Sequence, residues 1–259
     1  MTKIDWHTDT YELVGQYRIS RATNLVNDYN QQTGFKRNLS LKYILKKTLW
    51  PILELHNNLL VDGFIKRLTV NLINKYLTDK STILDIGCGD ISLSKYTPKE
   101  MWYNGLDILL SDYKIIRAFK FRQNINLVLA SATDIPASSN SASLIVSTET
   151  FEHIPEINRV MEEIYRVITP DGVLICSIPN NYCYKYKKKG AHSGHINNWT
   201  YHEFIEYMES HHFYLIEGFM KGKWIPFPLW LTRTSYQLPI SSKQEFLNTN
   251  FFYVFRVNK

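Results

Sequence analysis

From residue 82 to residue 257, short apolar runs alternate with longer amphipathic stretches. The apolar runs are rich in Ile, Leu and Val, which is typical of strands buried on both faces of a parallel sheet. The clearest amphipathic stretches predict helices over 111–121 and 156–168, and a Thr-Pro-Asp-Gly stop signal follows the second at 169–172. This alternation predicts an α/β fold built on a parallel sheet.

Seven strands are predicted in this part of the chain. They cover residues 82–86, 102–106, 126–130, 142–147, 173–177, 213–218 and 251–257. Thr200 caps a helix before the sixth strand, and an aromatic insertion at 219–249 joins the last two strands. We therefore predict a doubly wound, seven-stranded sheet whose last strand is antiparallel to the others.

Residues 1–80 carry a different pattern. Apolar residues recur at steps of three and four over 11–32, and a second helical pattern begins at Pro51 and continues to Ile73. We expect an N-terminal helical cap over 1–80 that packs on a domain comprising 81–259. The stretch 39–50 is apolar and basic, so contact with a membrane surface stays an open alternative for it.

Composition narrows the class of protein. The 259 residues are 44% apolar, which is enough for a sizeable core, and the net charge is only +6. The densest basic run, 185–189, is typical of a solvated surface, and RNA binding is its alternative. Cys88, Cys176 and Cys183 show neither disulfide nor metal-ligand spacing, and no signal peptide or membrane span is recognised. We expect a reduced, cytoplasmic protein with no DNA partner; its oligomeric state is left open.

The first predicted strand ends in the run Asp85-Ile-Gly87-Cys88-Gly89. Glycines let the backbone turn sharply and bring main-chain N–H groups close to a ligand. Such a turn at the carboxyl end of the first strand is where α/β sheets bind nucleotide-like ligands. By itself, the run also fits a tight exit from a strand.

Acids follow at the ends of the next two strands. Asp107 ends the second, where a carboxylate can accept hydrogen bonds from both hydroxyls of a ribose. Asp134, in the run Thr133-Asp134-Ile135, can accept from an adenine amino group, with Ile108 and Ile135 flanking the ring. Helix capping or turn formation is the structural alternative for each acid.

The fourth strand leads into Thr148, Glu149 and His153. A histidine there can act as a general base near physiological pH, or it can merely order the loop. His192, in the loop 179–198, is a second candidate base, whereas His195 is expected to be structural. Two histidines three residues apart suggest a metal site, but the sequence places no acid beside them, so no metal is expected.

Taken in order, residues 83–90, 105–108, 134, 149–154 and 163–174 resemble the successive motifs of class I S-adenosylmethionine-dependent methyltransferases, in particular the small-molecule type that includes ubiquinone-biosynthesis-like enzymes. The resemblance implies a Rossmann-like sheet with S-adenosyl-L-methionine as cofactor and S-adenosyl-L-homocysteine as product. The cofactor contacts that it implies are Asp85, Gly87, Cys88, Gly89, Asp107, Ile108, Thr133, Asp134, Ile135 and Thr148. A third glycine that the family often has is replaced by Ile91.

The resemblance also implies a reaction. Glu149 and His153 are similar to a Glu/His pair near the transferring methyl group in some relatives, and with His192 they are the candidate catalytic residues. We expect O-methylation of a small-molecule acceptor, a sugar, a lipid-linked compound or a secondary metabolite. RNA methylation and a non-catalytic cofactor-binding module of the same fold are the alternatives; an Asn/Asp-Pro-Pro-Tyr motif, typical of base methylation, is absent after the fourth strand.

Overall fold

The computed structural model describes residues 3–7, 11–14, 17–20, 62–110, 118, 121, 123–190, 192–225, 236–238 and 241–259. Ten strands among these residues form one sheet. They are β1 (Tyr11–Val14), β2 (Tyr17–Ser20), β3 (Ile83–Ile86), β4 (Tyr103–Asp107), β5 (Ile125–Leu129), β6 (Ala142–Thr148), β7 (Ile168–Pro179), β8 (Phe213–Ile225), β9 (Tyr236–Leu238) and β10 (Asn248–Val257). Their order across the sheet is β1-β2-β5-β4-β3-β6-β7-β10-β8-β9.

The seven predicted strands form the centre of this sheet. Strands β5, β4, β3, β6 and β7 pair in parallel, and β10 pairs antiparallel with both β7 and β8. The strand order reverses on either side of β3, which is where doubly wound sheets bind ligands. The predicted sheet with an antiparallel last strand is confirmed.

The helix predicted over 11–32 is wrong where the chain is described. Tyr11–Val14 and Tyr17–Ser20 form an antiparallel hairpin, and β2 pairs in parallel with β5. Tyr, Val and Ile favour strands, and so short an apolar run fits a period of two as well as a period of three to four. Residues 21–61, which include the apolar and basic stretch 39–50, lie outside the described residues.

Four α-helices flank the sheet in the described residues: α1 (Asp62–Tyr76), α2 (Ile157–Val167), α3 (Tyr184–Lys189) and α4 (Tyr201–Ser210). Three of them confirm predictions, and Thr200 caps α4 through a capping box with Glu203. Helix α3 lies in a segment predicted to be a loop. The helix predicted over 111–121 falls almost wholly outside the described residues.

Neighbouring residues of the central strands point to opposite faces of the sheet, so that each face has its own core. Leu84 packs on the face covered by α2 and α4, with Met161 and Phe204. Ile83 packs on the other face, against Ile73 of α1. All of these side chains are at most 2% exposed, and burying each one stabilises the fold by about 1.5–3 kcal/mol. The two-sided burial explains the continuous apolar runs in the sequence.

Residues 3–7 are held by a pair of buried asparagines. The side-chain oxygen of Asn104 accepts from the Ile4 amide at 3.0 Å and from Asn126 Nδ2 at 2.8 Å, while Asn126 Nδ2 also donates to the Ile4 carbonyl at 2.9 Å. Trp6, which is 1% exposed, forms a bridge with Ala137. This segment therefore packs within the sheet domain, and the division of the chain at residue 80 stays a prediction.

The Thr-Pro-Asp-Gly run ends α2 but does not end the strand that follows. Ala142 faces Ile168 and Leu144 faces Val173, so the extra residues of β7 form a bulge. Asp171 has a φ of 60° there. The predicted end of the helix is confirmed. The strand begins earlier than predicted because the turn residues are part of β7 as a bulge.

Candidate functional site

The turn after β3 needs its first glycine for two reasons. Gly87 has a φ of 74°, and a Cβ built on it would lie 2.3 Å from Oγ1 of Thr150. The Gly87 and Cys88 amides both donate to the Leu106 carbonyl, at 2.8 and 3.1 Å. The turn is therefore clamped between β4 and the segment that follows β6. At Gly89, with a φ of 50°, the one atom that a Cβ would meet among the described residues is the Gly87 carbonyl oxygen at 3.8 Å, so that open space borders the turn.

Asp107 closes this turn from the neighbouring strand. Its Oδ2 accepts from the Gly89 amide at 2.7 Å, and its Oδ1 accepts from the Leu109 amide at 2.9 Å. Charge-assisted bonds of this kind hold the turn in one conformation before a ligand arrives. Each carboxylate oxygen has a second lone pair, so the arrangement fits the ribose contact predicted for Asp107. Ile108 follows it, half-buried.

Asp85 and Cys88 contribute from below the turn. Asp85 is 2% exposed and accepts a short hydrogen bond from the Tyr103 hydroxyl. Burial raises the pKa of the Asp85 carboxyl to about 7, against the opposing effect of the Tyr103 hydrogen bond. Cys88 Sγ is buried beside Gly105. Both side chains face the protein, and a direct ligand contact by either one stays a prediction.

The loop that carries Thr133, Asp134 and Ile135 is fastened by α2. The Ile135 amide donates to Glu163 Oε2 at 2.8 Å, and Arg166 Nη2 donates to the Ile135 carbonyl at 2.7 Å. Asp134 is exposed and Thr133 half-buried, whereas Ile135 is 1% exposed within the core. Ile135 therefore supports the loop from beneath, and its contact with an adenine ring stays a prediction. The clamp was missed at the sequence level, although Glu and Arg three residues apart on a helix signal a shared face.

Ile91 takes the backbone conformation that a glycine would adopt easily. Its φ is 58° and its ψ is 22°, and the chain continues into a short 3-10 turn, Ser92–Lys95. A left-handed conformation costs a residue with a Cβ about 1–2 kcal/mol. The side chain is 1% exposed in the core beside α1, and its burial offsets that cost.

Glu149 connects three strands at the other end of the site. Its amide donates to the Ser177 carbonyl, while its carboxylate accepts from Ser177 Oγ at 2.9 Å and from Asn250 Nδ2 at 3.0 Å. Its φ of 51° is unusual for a residue with a side chain, and such strain gathers at functional sites. Thr148, the last residue of β6, lies half-buried just before it.

Glu152 and His153 lie in the short 3-10 turn Phe151–His153 that follows. Burial, together with the charge of Glu149, holds the pKa of the Glu152 carboxyl well above its usual range. His153 Nε2 lies 3.6 Å from Glu152 Oε1, and His153 Nδ1 donates to the Gly194 carbonyl at 2.8 Å. Burial also lowers the pKa of His153, so its imidazole is neutral at physiological pH and Nε2 carries a lone pair.

Two further histidines complete a cluster with His153. The His195 ring lies 5.0 Å from that of His153 and 4.9 Å from that of His192. Burial and the two neighbouring imidazoles lower the pKa of His195 to about 4. His192 is exposed, and its Nδ1 accepts from the Gly194 amide at 3.1 Å. The structure thus brings both candidate bases together and adds Glu152 and His195, which the sequence analysis had not placed in the site.

Tyr182, Tyr184, Lys187 and Phe246 line an aromatic cavity of about 460 Å³. Tyr186 belongs to the same helix as Tyr184 and Lys187, and its ring lies 6.0 Å from that of His195 in the cluster. A cavity with aromatic walls and one cation suits an apolar or aromatic molecule that carries a polar group. Within the described part of the chain, no helix combines the length and apolarity needed to cross a membrane.

Comparison with known proteins agrees with this geometry. Residues 84–176 match the family described as a methyltransferase domain. The ubiquinone/menaquinone biosynthesis C-methyltransferase of Rickettsia prowazekii is 27% identical over 164 residues, which is 57% of this chain and 66% of the relative. The chain spans between 43% and 66% of the length of the curated relatives that it matches.

Solved structures share the fold. A SAM-dependent methyltransferase of Thermotoga maritima has a TM-score of 0.55 at 17% identity and covers 80% of this chain and 96% of its own. The 1,6-didemethyltoxoflavin-N1-methyltransferase of Burkholderia thailandensis, with bound substrate and S-adenosylhomocysteine, has a TM-score of 0.52 at 12% identity. It covers 87% of this chain and 94% of its own. At these identities the likeness shows the fold alone.

Proposed function

We propose that the chain, of which residues 84–176 match a methyltransferase domain, is a class I S-adenosylmethionine-dependent methyltransferase that transfers the methyl group of S-adenosylmethionine to a hydroxyl group of a small-molecule acceptor. The observation that carries the acceptor side is the cluster of Glu152, His153 and His195, of which the first two follow the carboxyl end of β6. This cluster adjoins the glycine turn through Thr150, whose Oγ1 lies 2.3 Å from the Cβ position of Gly87.

The residues of the turn fit the cofactor. The open space beside Gly89 leaves room for a ligand, and the carboxylates of Asp107 and the exposed Asp134 can accept hydrogen bonds along one edge of the sheet. When bound, S-adenosylmethionine supplies an electrophilic methyl group on a sulfonium. The protein's task is then to align the acceptor with that methyl group and to exclude water.

The acceptor must lose a proton if its nucleophilic atom is a hydroxyl oxygen. His153 supports this part of the proposal because the bond from Nδ1 to the Gly194 carbonyl leaves Nε2 as the nitrogen that accepts a proton. His192 is less well suited, since its Nδ1 already accepts from the Gly194 amide. General-base catalysis contributes about 10²–10⁴-fold to a rate.

The aromatic cavity is the proposed binding place of the acceptor. Tyr182 and Phe246 are 55% and 50% exposed, which leaves their rings free to stack on a ligand. Lys187 adds a positive charge at the wall. We infer an acceptor with an aromatic or apolar body and an acidic group; the sugar, lipid-linked and secondary-metabolite classes all contain such molecules.

Carbon is the second candidate for the methylated atom, because the curated relatives are C-methyltransferases. The test is a screen of small-molecule pools with ¹³C-methyl S-adenosylmethionine, in which the chemical shift of the transferred methyl group identifies the atom that received it. An oxygen-bound methyl group supports the proposal. A methyl group on carbon would support the second candidate instead. If no small molecule were methylated but RNA were, both candidates would be overturned.

His153→Ala tests the role of the histidine in that assay. We expect turnover to fall about 100-fold or more with unchanged affinity for S-adenosylhomocysteine. In the unchanged protein, the acid limb of the rate profile should lie below the ordinary histidine pKa of about 6.5, because burial lowers the pKa of His153. Unchanged turnover in His153→Ala would remove this residue from the catalytic group.

A further inference from the structure

Glu152, His153 and His195 bring three metal-ligating groups to one place. Their ligand atoms all lie within 4.8 Å of one another. An ion at the centre of such a triangle would be at most about 2.8 Å from each atom, and rotation of the side chains by less than about 1 Å would give the usual bond lengths of about 2.0–2.2 Å. The triangle is therefore close to the size of a metal site.

Glu152 provides an independent sign of a bound cation. Among the residues that the structure describes, no group hydrogen-bonds to its Oε2, although Glu152 is only 1% exposed. A buried polar atom without a partner costs about 1–3 kcal/mol, and more when it is charged. A cation would satisfy the lone pairs and the charge of this carboxylate together.

Each of the two histidines has on Nδ1 the hydrogen bond that a metal-binding histidine usually has. His153 Nδ1 donates to the Gly194 carbonyl at 2.8 Å, and His195 Nδ1 donates to Asn181 Oδ1 at 2.7 Å. Asn181 Nδ2 in turn donates to Asn198 Oδ1, which fixes the orientation of the amide. Since a carbonyl oxygen can only accept, each imidazole keeps its proton on Nδ1 and presents the lone pair of Nε2. Ligating histidines nearly always have such a partner on the other nitrogen.

His192 is arranged in the opposite way. Its Nδ1 accepts from the Gly194 amide at 3.1 Å, so in the neutral ring the proton is on Nε2. Its ring lies 6.0 Å from that of His153, and its side chain is exposed. His192 therefore lacks a free lone pair and serves as a matched control in the same loop.

We propose that Glu152, His153 and His195 bind one divalent transition-metal ion of the class of Zn²⁺, Mn²⁺ or Co²⁺. Two imidazole nitrogens and one carboxylate suit these ions, whereas Mg²⁺ and Ca²⁺ prefer oxygen ligands. Three protein ligands leave further positions of the ion open, as in catalytic sites. The sequence analysis predicted no metal because it found no acid beside the histidines, and Glu152 is that acid.

The role of the ion rests on the proposed function, although its binding does not. An acceptor hydroxyl on an open position of the ion ionises more easily: its O–H bond breaks, the electron pair stays on the oxygen and the proton passes to water. The ion would then perform the task otherwise given to His153, whose Nε2 would hold it. The site lies beside Thr150 and the glycine turn, which is where the methyl group is expected.

Metal binding can be measured without an acceptor. The full chain, treated with a chelator and dialysed, is titrated with Zn²⁺ by calorimetry and with Co²⁺ by visible absorption. We expect one ion per chain in both titrations. Glu152→Gln and His195→Gln should weaken the binding about 100-fold or more, while His192→Gln leaves it unchanged. Added Mg²⁺ should not displace the bound Co²⁺, so the visible absorption of Co²⁺ should stay unchanged.

Affinity for S-adenosylhomocysteine is measured on the same variants and shows that they are folded. A chain that binds S-adenosylhomocysteine but no Zn²⁺ or Co²⁺ would overturn the metal site and leave the proposed function standing. The metal site would also be overturned if Glu152→Gln and His195→Gln bound the ions as tightly as the unchanged protein. Loss of S-adenosylhomocysteine binding with retained Co²⁺ binding would contradict the proposed function alone.

Asn181 is the positioning residue that this site predicts. Asn181→Leu removes the acceptor for His195 Nδ1 and should weaken Co²⁺ binding about 10–100-fold, whereas Asn181→Asp, which keeps an acceptor oxygen, should restore it. A merely structural role would not distinguish the two variants in this way. Equal Co²⁺ affinity of Asn181→Leu and Asn181→Asp would overturn the assigned tautomer of His195.

Discussion

The edge formed by β3, β4 and β5 and the edge formed by β6, β7 and β10 are built by different means. At the first, a glycine turn is held by main-chain hydrogen bonds to Leu106 and by the carboxylate of Asp107, which is 18 residues from its partner Gly89. The second is held by hydrogen bonds between side chains, and Glu149 accepts one of them from Asn250, which is 101 residues away in the sequence. The first edge depends on local backbone conformation and the second on long-range assembly. We therefore expect changes at the second edge to leave the binding of the methyl donor at the first edge undisturbed.

Gly87→Ala should break the first edge most severely. The new Cβ would lie 2.3 Å from Thr150 Oγ1 at a φ of 74°, and we expect a loss of about 3 kcal/mol in the free energy of unfolding. Gly89→Ala meets no such contact among the described residues and should cost about 1 kcal/mol. Urea denaturation measures both.

The Thr150 contact itself can be isolated. In a Thr150→Ala background, Gly87→Ala should be milder by about 1 kcal/mol or more, because the hydroxyl and methyl groups that it strikes are gone. Equal costs for Gly87→Ala in both backgrounds, or for the two glycine substitutions, would show that the steric contact has been misassigned.

Asp107→Ala tests whether the acid serves the donor. It removes the acceptor of two amide bonds and of the predicted ribose contact, so the affinity for S-adenosylhomocysteine should fall about 100-fold, or about 2.8 kcal/mol. Calorimetry gives the affinity, and Asp79→Ala, at an exposed acid after α1, is the control. Tight binding by Asp107→Ala would remove this residue from the donor site.

Asp85→Asn should change how stability depends on pH. The folded pKa of Asp85 is raised from 3.8 to about 7, so the folded protein binds more protons than the unfolded chain between these values, and stability falls as the pH rises through this window. Between about pH 5 and pH 8 the unchanged protein should lose about 2 kcal/mol more than Asp85→Asn. If the unchanged protein and Asp85→Asn lost the same stability between the two pH values, the raised pKa of the buried Asp85 carboxyl would be contradicted.

Asn250→Ala should disturb the second edge while leaving the first intact. Ser177 still holds Glu149, so we expect turnover to fall only about tenfold, or about 1.4 kcal/mol, with unchanged affinity for S-adenosylhomocysteine. Asn258→Ala, on the exposed end of the chain, is the control. A drop in donor affinity as large as the drop in turnover would show that the two edges are not independent.

The same contrast explains how much could be predicted from the sequence. The strands and the glycine turn follow from apolar runs and from residues close together in the chain, and the predicted sheet was confirmed. Glu152 and His195 were missed as members of the site because 43 positions separate their numbers and only the tertiary fold joins them. The hairpin of β1 and β2 was predicted as a helix because its pairing partner, β5, is remote in sequence.

The side chains that hold the loop at Ile135 also show how far prediction from the sequence reaches. Glu163 and Arg166 share a helix face, which the spacing could reveal, but the loop carbonyl and amide that they hold cannot be read from it. Ile91 marks the converse case, since only the motif, and not its apolar character, indicates a left-handed backbone there.

The place of β10 in the sheet has a consequence for the order in which the protein becomes competent during synthesis. This strand lies between β7 and β8, yet it is made after both. A nascent chain that has reached residue 176 already contains the glycine turn and the acids predicted to bind the methyl donor, Asp107 and Asp134, but it lacks Asn250, which holds Glu149. We expect a growing chain to become able to bind the methyl donor well before it becomes able to transfer the methyl group.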